Sequence, residues 1–215
     1  PLEIGLTIIP VLIVIAIAVP TVRTIFETEA RVTPEAGDLI VNVTGYQWWW
    51  RFEYPELGVV TANELHIPTD TRVILNLDSA DVLHSFWVPR LAGKRDLIPN
   101  QNNQLWLTAP EPGNYYGQCA ELCLGAHAYM KFRVIAEPQA EFDAWVETFA
   151  QAETQAVSLD PQIQQGYQLF AQKGCTNCHT VAGYRDAPVG TPDFPNLTNY
   201  GLRTTLAAGV VENTQ

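Results

Sequence analysis

The strongest constraint on how this chain can fold is an almost unbroken apolar run, Ile4 to Val22, that carries no charged side chain. At about 1.5 Å of rise per residue such a run spans roughly 28 Å as a helix, close to the hydrocarbon core of a bilayer. A secretory signal would need a basic stretch before it and a small-residue cleavage site after it; Glu3 stands where the positive charge should be. A buried core helix would need surroundings that nothing later in the chain supplies. The run therefore reads as a membrane-spanning helix over residues 1–26, followed by a charged connector, 27–37. Because the chain opens on Pro1 and not on methionine, further residues are expected upstream.

The next hundred residues have a different texture. Asp38–Thr44, Arg72–Leu77 and Gln104–Leu107 alternate apolar and polar positions, the period of a half-buried strand. Pro68-Thr69-Asp70, Pro99-Asn100 and Pro110-Glu111-Pro112-Gly113 mark turns between them. Short strands at this spacing predict a Greek-key β-sandwich or barrel over 38–137. Met130–Ala136 would be its last strand, and Glu137-Pro138 opens a helix to about Glu153. Helix and polar linker occupy 138–160, and 161–215 forms a separate unit. There, Pro161–Lys173 has helical spacing with Ile163, Tyr167 and Phe170 on one face, and a short helix is expected around Thr204–Val210. No internal repeat is visible. The formal charge of −11 argues against nucleic acid, whose phosphates such a surface repels. It suits a basic protein partner, although solubility alone accounts for it equally well.

The four cysteines fall into two tight pairs, Cys119/Cys123 and Cys175/Cys178, and three of the four histidines lie with or before them; His66 stands apart. Paired cysteines accompanied by histidine point to metal or haem more than to disulfides. Cys119, Cys123, His127 and Met130 fall within twelve residues, and His84 lies 35 positions before Cys119. Soft sulfur with imidazole and a weak thioether is the donor set that holds copper for electron transfer. A single copper of that kind needs one cysteine. Two cysteines four apart can bridge two ions, which share the transferred electron and so change geometry little. A disulfide or a Cys₂His₂ zinc site would also use the cysteines, but neither needs Met130 or a distant histidine.

Cys175-Thr176-Asn177-Cys178-His179 is the attachment pattern for covalent c-type haem, with thioethers from both thiols and His179 on the iron. A redox dithiol or half a zinc site fits the same five residues. Trp48-Trp49-Trp50 with Phe52 and Tyr54 reads, on alternation alone, as a core strand with Trp48, Trp50, Phe52 and Tyr54 on one face and Trp49 on the other. Arg51 in that strand reads as a surface or interface charge.

Taken together, Cys-x₃-Cys-x₃-His-x₂-Met over 119–130, with Asp81-Val82-Leu83-His84-Ser85 upstream, resembles the binuclear CuA signature of cytochrome c oxidase subunit II. The likeness extends to Thr7-Ile8-Ile9-Pro10, Gln47-Trp48-Trp49-Trp50 and Pro112–Gln118. It implies that one copper takes His84 and Met130, the other His127 and the Glu121 backbone carbonyl, with Cys119 and Cys123 bridging. It further implies a magnesium held in part by the Glu121 carboxylate at the boundary with subunit I, and Trp48 as the exposed residue through which electrons arrive. Gly166, Tyr167, Phe170 and Lys173-Gly174 resemble the first helix of a class I cytochrome c. Pro195-Asn196-Leu197 resembles that family's proline turn, whose carbonyl orients the haem histidine, with Phe194 in place of the usual glycine. The second haem ligand should be a methionine well after His179, yet Met130 is the one methionine present; Gly209–Thr214 resembles the segment before that ligand, so the chain is expected to continue past Gln215. Aligned on Thr7 and Pro10, Glu3 falls at the mouth of a proton path into subunit I, with Leu6 replacing a tryptophan common there.

The architecture implied is a transmembrane helix, a cupredoxin-like sandwich and an all-α cytochrome c domain, as in subunit II of a caa3-type oxidase. That places the chain in a bacterial cell membrane with its copper and haem domains on the extracytoplasmic side. Its partners would be subunit I and the other oxidase subunits, and cytochrome c or another respiratory donor. Such an enzyme reduces dioxygen in subunit I and couples this to proton translocation. A CuA-containing nitric oxide reductase would use a similar subunit, and a membrane-anchored copper and haem carrier is the non-enzymatic alternative. Oxygen uptake against nitric oxide consumption separates the first two.

Overall fold

The computed structural model describes residues 2–29, 31–154, 160–181 and 194–214. Two units are distinct, Pro1–Thr33 and Pro34–Gln215. The first is a helix, α1 (Leu2–Glu29), which runs three residues beyond the expected end at 26. An Arg23–Glu27 pair at 2.8 Å extends it past the apolar run. Ile9, Leu12, Ile13 and Val19 are all more than half exposed, so apolar surface runs along the helix. Pro10 and Pro20 lie inside; membrane helices tolerate such breaks where neighbours resatisfy the backbone.

In the second unit ten strands form two five-stranded sheets: β1 (Leu39–Tyr46), β2 (Trp49–Tyr54), β3 (Val59–Ala62), β4 (Glu64–Pro68), β5 (Val73–Ser79), β6 (His84–Trp87), β7 (Arg95–Leu97), β8 (Asn103–Leu107), β9 (Gly113–Cys119) and β10 (Lys131–Glu137). One sheet has the order β3-β2-β1-β5-β8, the other β4-β10-β9-β6-β7. β1 pairs parallel with β5 and β10 parallel with β4, so the chain crosses between layers as a Greek key does. Alternation sets the core: Val41, Val43, Trp50, Phe52, Val134 and Phe132 face inward and are buried. The Trp50 ring meets Phe132 at 5.2 Å and Phe86 at 5.8 Å, both edge-on, while Phe86 and Phe132 stack at 4.6 Å. Gly117 has to be glycine here, because a Cβ would stand 2.2 Å from the Phe132 ring.

Helix α2 (Gln139–Thr154) then lays Phe142, Trp145 and Phe149 against the sandwich. Most of the expected 152–160 linker lies outside the described residues. Helix α3 (Pro161–Gln172) starts as its sequence predicts: Pro161 occupies the first turn and Asp160 Oδ1 accepts from the Gln162 N–H at 2.8 Å. The short helix expected at Thr204–Val210 is instead a hairpin, with β11 (Thr205–Leu206) paired to β12 (Val211–Glu212). Ala207, Ala208 and Gly209 have φ of 50°, 57° and 74°, and three successive left-handed residues reverse the chain where a right-handed helix would carry it on.

Candidate functional site

The dense cluster forms where β6 and β9 lie side by side, with Phe86 opposite Cys119. β9 ends on Cys119, and the loop 120–130 folds back because Leu124 and Gly125 take φ of 66° and 40°. The loop is closed by Cys119 N–H to Met130 carbonyl (3.0 Å) and Ala120 N–H to Ser85 carbonyl (2.9 Å). His84 opens β6 itself.

Cys119 Sγ lies 3.8 Å from Cys123 Sγ, 3.9 Å from His84 Nδ1 and 3.2 Å from the Glu121 carbonyl oxygen. Cys123 Sγ lies 3.5 Å from His127 Nδ1 and 3.7 Å from Met130 Sδ. All six expected donors are therefore together. Among the described residues, the donor atoms of His84, Cys119 and Cys123 fall within 4.8 Å of one another and are buried. Two soft thiolates flanked by imidazoles and a thioether are the donor chemistry that suits copper, so the residues fit the metal.

Electrostatics prepare the cluster for a cation. Burial pushes the Cys119 thiol up, but hydrogen bonds from His84 and from the Glu121 and Ser85 backbone outweigh it and bring the pKa down to about 7. Burial and the neighbouring Cys119 charge push Cys123 up to about 12. One thiolate forms near neutrality and opposes the second; a bound cation removes that opposition. Burial lowers the His84 pKa, while Cys119 and Asp81 outweigh it and raise it on balance.

Two residues with no assigned role hold the ligands. Asp81 Oδ1 lies 2.8 Å from His84 Nε2, leaving Nδ1 toward the sulfur, and Asp81 Oδ2 accepts from the Gln47 N–H at 2.7 Å. Gln47 Nε2 donates to the Cys123 carbonyl at 2.8 Å. The alternation reading of Trp48 is corrected by the structure: the residue sits in the β1–β2 turn, outside the strand face shared by Trp50, Phe52 and Tyr54. Its indole N–H donates to the Leu124 and Cys123 carbonyls at 2.8 and 3.1 Å, and the residue is 36% exposed. Gly125 makes room for it, since a Cβ there would be 2.1 Å from the ring. Trp49 stacks on Tyr46 at 4.7 Å, on the opposite side of the strand as alternation requires. The Glu121 carboxylate accepts from the Leu122 N–H at 3.2 Å.

The second motif forms a one-turn 3-10 helix, Cys175–Asn177, directly after Gly174 in a left-handed conformation. Both cysteines are half-buried free thiols. His179 Nδ1 lies 2.8 Å from the Pro195 carbonyl, with the Phe194 ring edge-on at 6.0 Å. That contact fixes the tautomer and frees Nε2 for an iron, so two thiols and an oriented imidazole fit covalent haem. Met130 stays with the sulfur cluster, and the segment between Thr180 and Phe194 lies largely outside the described residues. Glu3 lies exposed in the first turn of α1, with its carbonyl accepting from the Thr7 hydroxyl at 2.9 Å.

Residues 59–137 match the family described as cytochrome c oxidase subunit II, periplasmic domain, and residues 163–211 match cytochrome c. Over 99% of its length the chain is 42% identical to cytochrome c oxidase subunit 2 of Alkalihalophilus pseudofirmus, and it covers 60% of that protein. It is 38% identical over its full length to the protein of the same name from Bacillus sp. PS3, covering 62% of it. The chain thus spans about three-fifths of the curated relatives it matches. The crystal structure of the periplasmic domain of subunit II of the Bradyrhizobium japonicum cytochrome oxidase superposes with a TM-score of 0.53 at 32% identity, over 56% of this chain and 98% of that one.

Proposed function

Because this chain belongs to the cytochrome c oxidase subunit II family, we propose that it is the membrane-anchored subunit through which electrons reach a terminal haem–copper oxidase. On this reading α1 is an anchor in a bacterial membrane, and residues 38–137 and 161–215 are copper and haem domains on the extracytoplasmic side. A cytochrome c or similar respiratory protein donates the electrons, and subunit I reduces dioxygen and translocates protons.

One observation carries the proposal: six donors of the expected kinds converge at the edge of a sandwich. A bound copper pair would supply one-electron storage with little geometric change, and a covalent haem c a second such carrier. The protein's own part is to hold and orient. Cys119 and Cys123 would bridge the metals, His84 and Met130 would complete one site, and His127 with the Glu121 carbonyl the other. Asp81 fixes the His84 ring, and Gln47 and Trp48 pin the Cys123 carbonyl, so donors need not move when charge arrives. The exposed Trp48, bonded to the same loop, is the contact a docked donor would meet. Cys175, Cys178 and His179 would hold the haem, with Pro195 orienting the imidazole. The Glu121 carboxylate is proposed as part of a magnesium site shared with subunit I, and Glu3 as a group at the mouth of its proton path.

The test is to purify the complex and follow oxygen uptake with reduced cytochrome c. Uptake that stops with Cys123→Ser supports the proposal; nitric oxide consumption without oxygen uptake overturns it. Glu3→Ala should slow turnover in the assembled enzyme, and unchanged turnover removes that residue from the path.

A further inference from the structure

β4 carries a carboxylate that the proposed copper and haem sites do not use. Glu64 is only 3% exposed, and burying a carboxylate is costly unless its oxygens find donors. They find them in a segment 140 residues away. Oε1 accepts from the Thr205 N–H and the Thr205 hydroxyl, both at 2.6 Å, and from the Thr204 hydroxyl at 2.8 Å; Oε2 accepts from the Thr204 N–H at 3.2 Å. Hydrogen bonds to an ionised acceptor are roughly twice as strong as neutral ones. Four of them meet on one side chain, and nothing comparable joins the two parts elsewhere among the described residues.

The connection runs in two directions from there. Arg203, next to Thr204, donates from Nη2 to the Asn196 carbonyl at 2.6 Å. Asn196 follows Pro195, whose carbonyl faces His179 Nδ1 at 2.8 Å. At the other end, the hairpin tip meets the sandwich backbone: a Cβ on Gly209 would stand 3.3 Å from Phe132 Cα. Phe132 lies in β10, which begins one residue after Met130. A weaker third contact joins Asn199 Nδ2 to the Phe149 carbonyl of α2 at 3.4 Å.

We propose that Glu64 is a positioning residue: its carboxylate fastens the 204–213 hairpin to the sandwich and, through Arg203 and Asn196, sets where His179 stands relative to the cluster at Cys119 and Cys123. The inference rests on reading these as haem and copper sites. Its mechanical part, the fastening, needs neither group. Because the donors come from backbone and hydroxyl together, the carboxylate fixes orientation as well as proximity.

The test uses the full chain in detergent, loaded with copper and haem, with Glu64→Ala, Thr205→Val and Thr205→Ser. Glu64→Ala should speed amide exchange at Thr204 and Thr205 by about tenfold or more, the loss expected from a single charged hydrogen bond. It should also slow haem-to-copper electron transfer after flash reduction, while the absorption bands of both centres stay unchanged. Thr205→Val should do the same more weakly, and Thr205→Ser, which keeps the hydroxyl, should restore both readouts. If Glu64→Ala misfolds, the valine and serine pair decides. Unaltered exchange at the two threonines overturns the fastening, and unaltered electron transfer despite faster exchange overturns the positioning. A chain that takes up neither copper nor haem refutes the functional reading instead, and amide exchange still decides the fastening.

Discussion

Single side chains decide how well the copper-type cluster is prepared. His84 is fully buried, and its two ring nitrogens face different partners, Asp81 at 2.8 Å and Cys119 at 3.9 Å. A carboxylate behind a ligating histidine fixes its tautomer and raises its basicity. Replacing Asp81 by alanine should lower copper affinity by about 10- to 100-fold while the sandwich still folds; competitive titration against a chelator measures this, and wild-type affinity would remove Asp81 from the site. The side-chain donors were legible in the sequence because four of the five crowd into 119–130, and few other structures need that mixture of sulfur and imidazole. Asp81 was not. An aspartate three residues before a histidine is usually a solvated turn residue, and only the β6 geometry turns the ring onto it. Alternation alone would misplace Trp48 for a similar reason: it follows a strand, and the chain leaves the strand at Gln47-Trp48.

At the scale of elements, strands were read well wherever burial is one-sided, since period-2 alternation is the direct imprint of a sheet face. The hairpin at 205–212 was not, because its residues are as compatible with a helix as with a turn. What selects the hairpin is non-local: the Thr204 and Thr205 donors are claimed by Glu64. That attachment should depend on pH in a defined way. Burial would raise the Glu64 pKa, but hydrogen bonds from His66, Thr205 and Thr204 outweigh it and hold it below its ordinary 4.5. Burial would lower the His66 pKa, but Glu137 at 3.1 Å and Glu64 at 3.9 Å outweigh it and hold it above 6.5. Arg203 on the hairpin side, whose pKa burial lowers, and Arg133, paired with Glu64 across β10 and β4, are the cations nearby. The Glu64 contribution is therefore present above pH 4.5 and lost as pH falls through its lowered value. The His66 contribution is present below pH 6.5 and lost as pH rises through its raised value. Protection of the Thr204 and Thr205 amides, corrected for intrinsic exchange, should thus be greatest between those two values. A Glu137→Gln variant should narrow the window from the alkaline side; a flat profile would show that the pair does not titrate with the hairpin.

For the whole molecule, the candidate site exists only once distant stretches have met. His84 comes from one strand, and the other donors come from the end of a second strand and the loop after it, 35 or more residues later, so the folded sandwich binds copper better than the unfolded chain can. Binding to the native state alone stabilises it by about 2.7 kcal/mol at a hundredfold excess over the dissociation constant. Copper should raise the unfolding midpoint of the full chain in denaturant, and the Cys119→Ser, Cys123→Ser double variant should lose that increase; an equal rise in the double variant would place the metal elsewhere. The same dependence on the whole fold appears at β4. It ends its sheet, yet all five of its residues are buried. Trp145 of α2 stacks on His66 at 4.1 Å, Tyr54 OH bonds both the N–H and the carbonyl of His66, and Thr204 and Thr205 close over Glu64. A bare sheet margin is a template for recruiting strands from other copies. By taking the N–H and carbonyl of His66, the Tyr54 hydroxyl, with the Thr61 hydroxyl on the Glu64 carbonyl, leaves that margin few free backbone groups on which a second copy could add a strand.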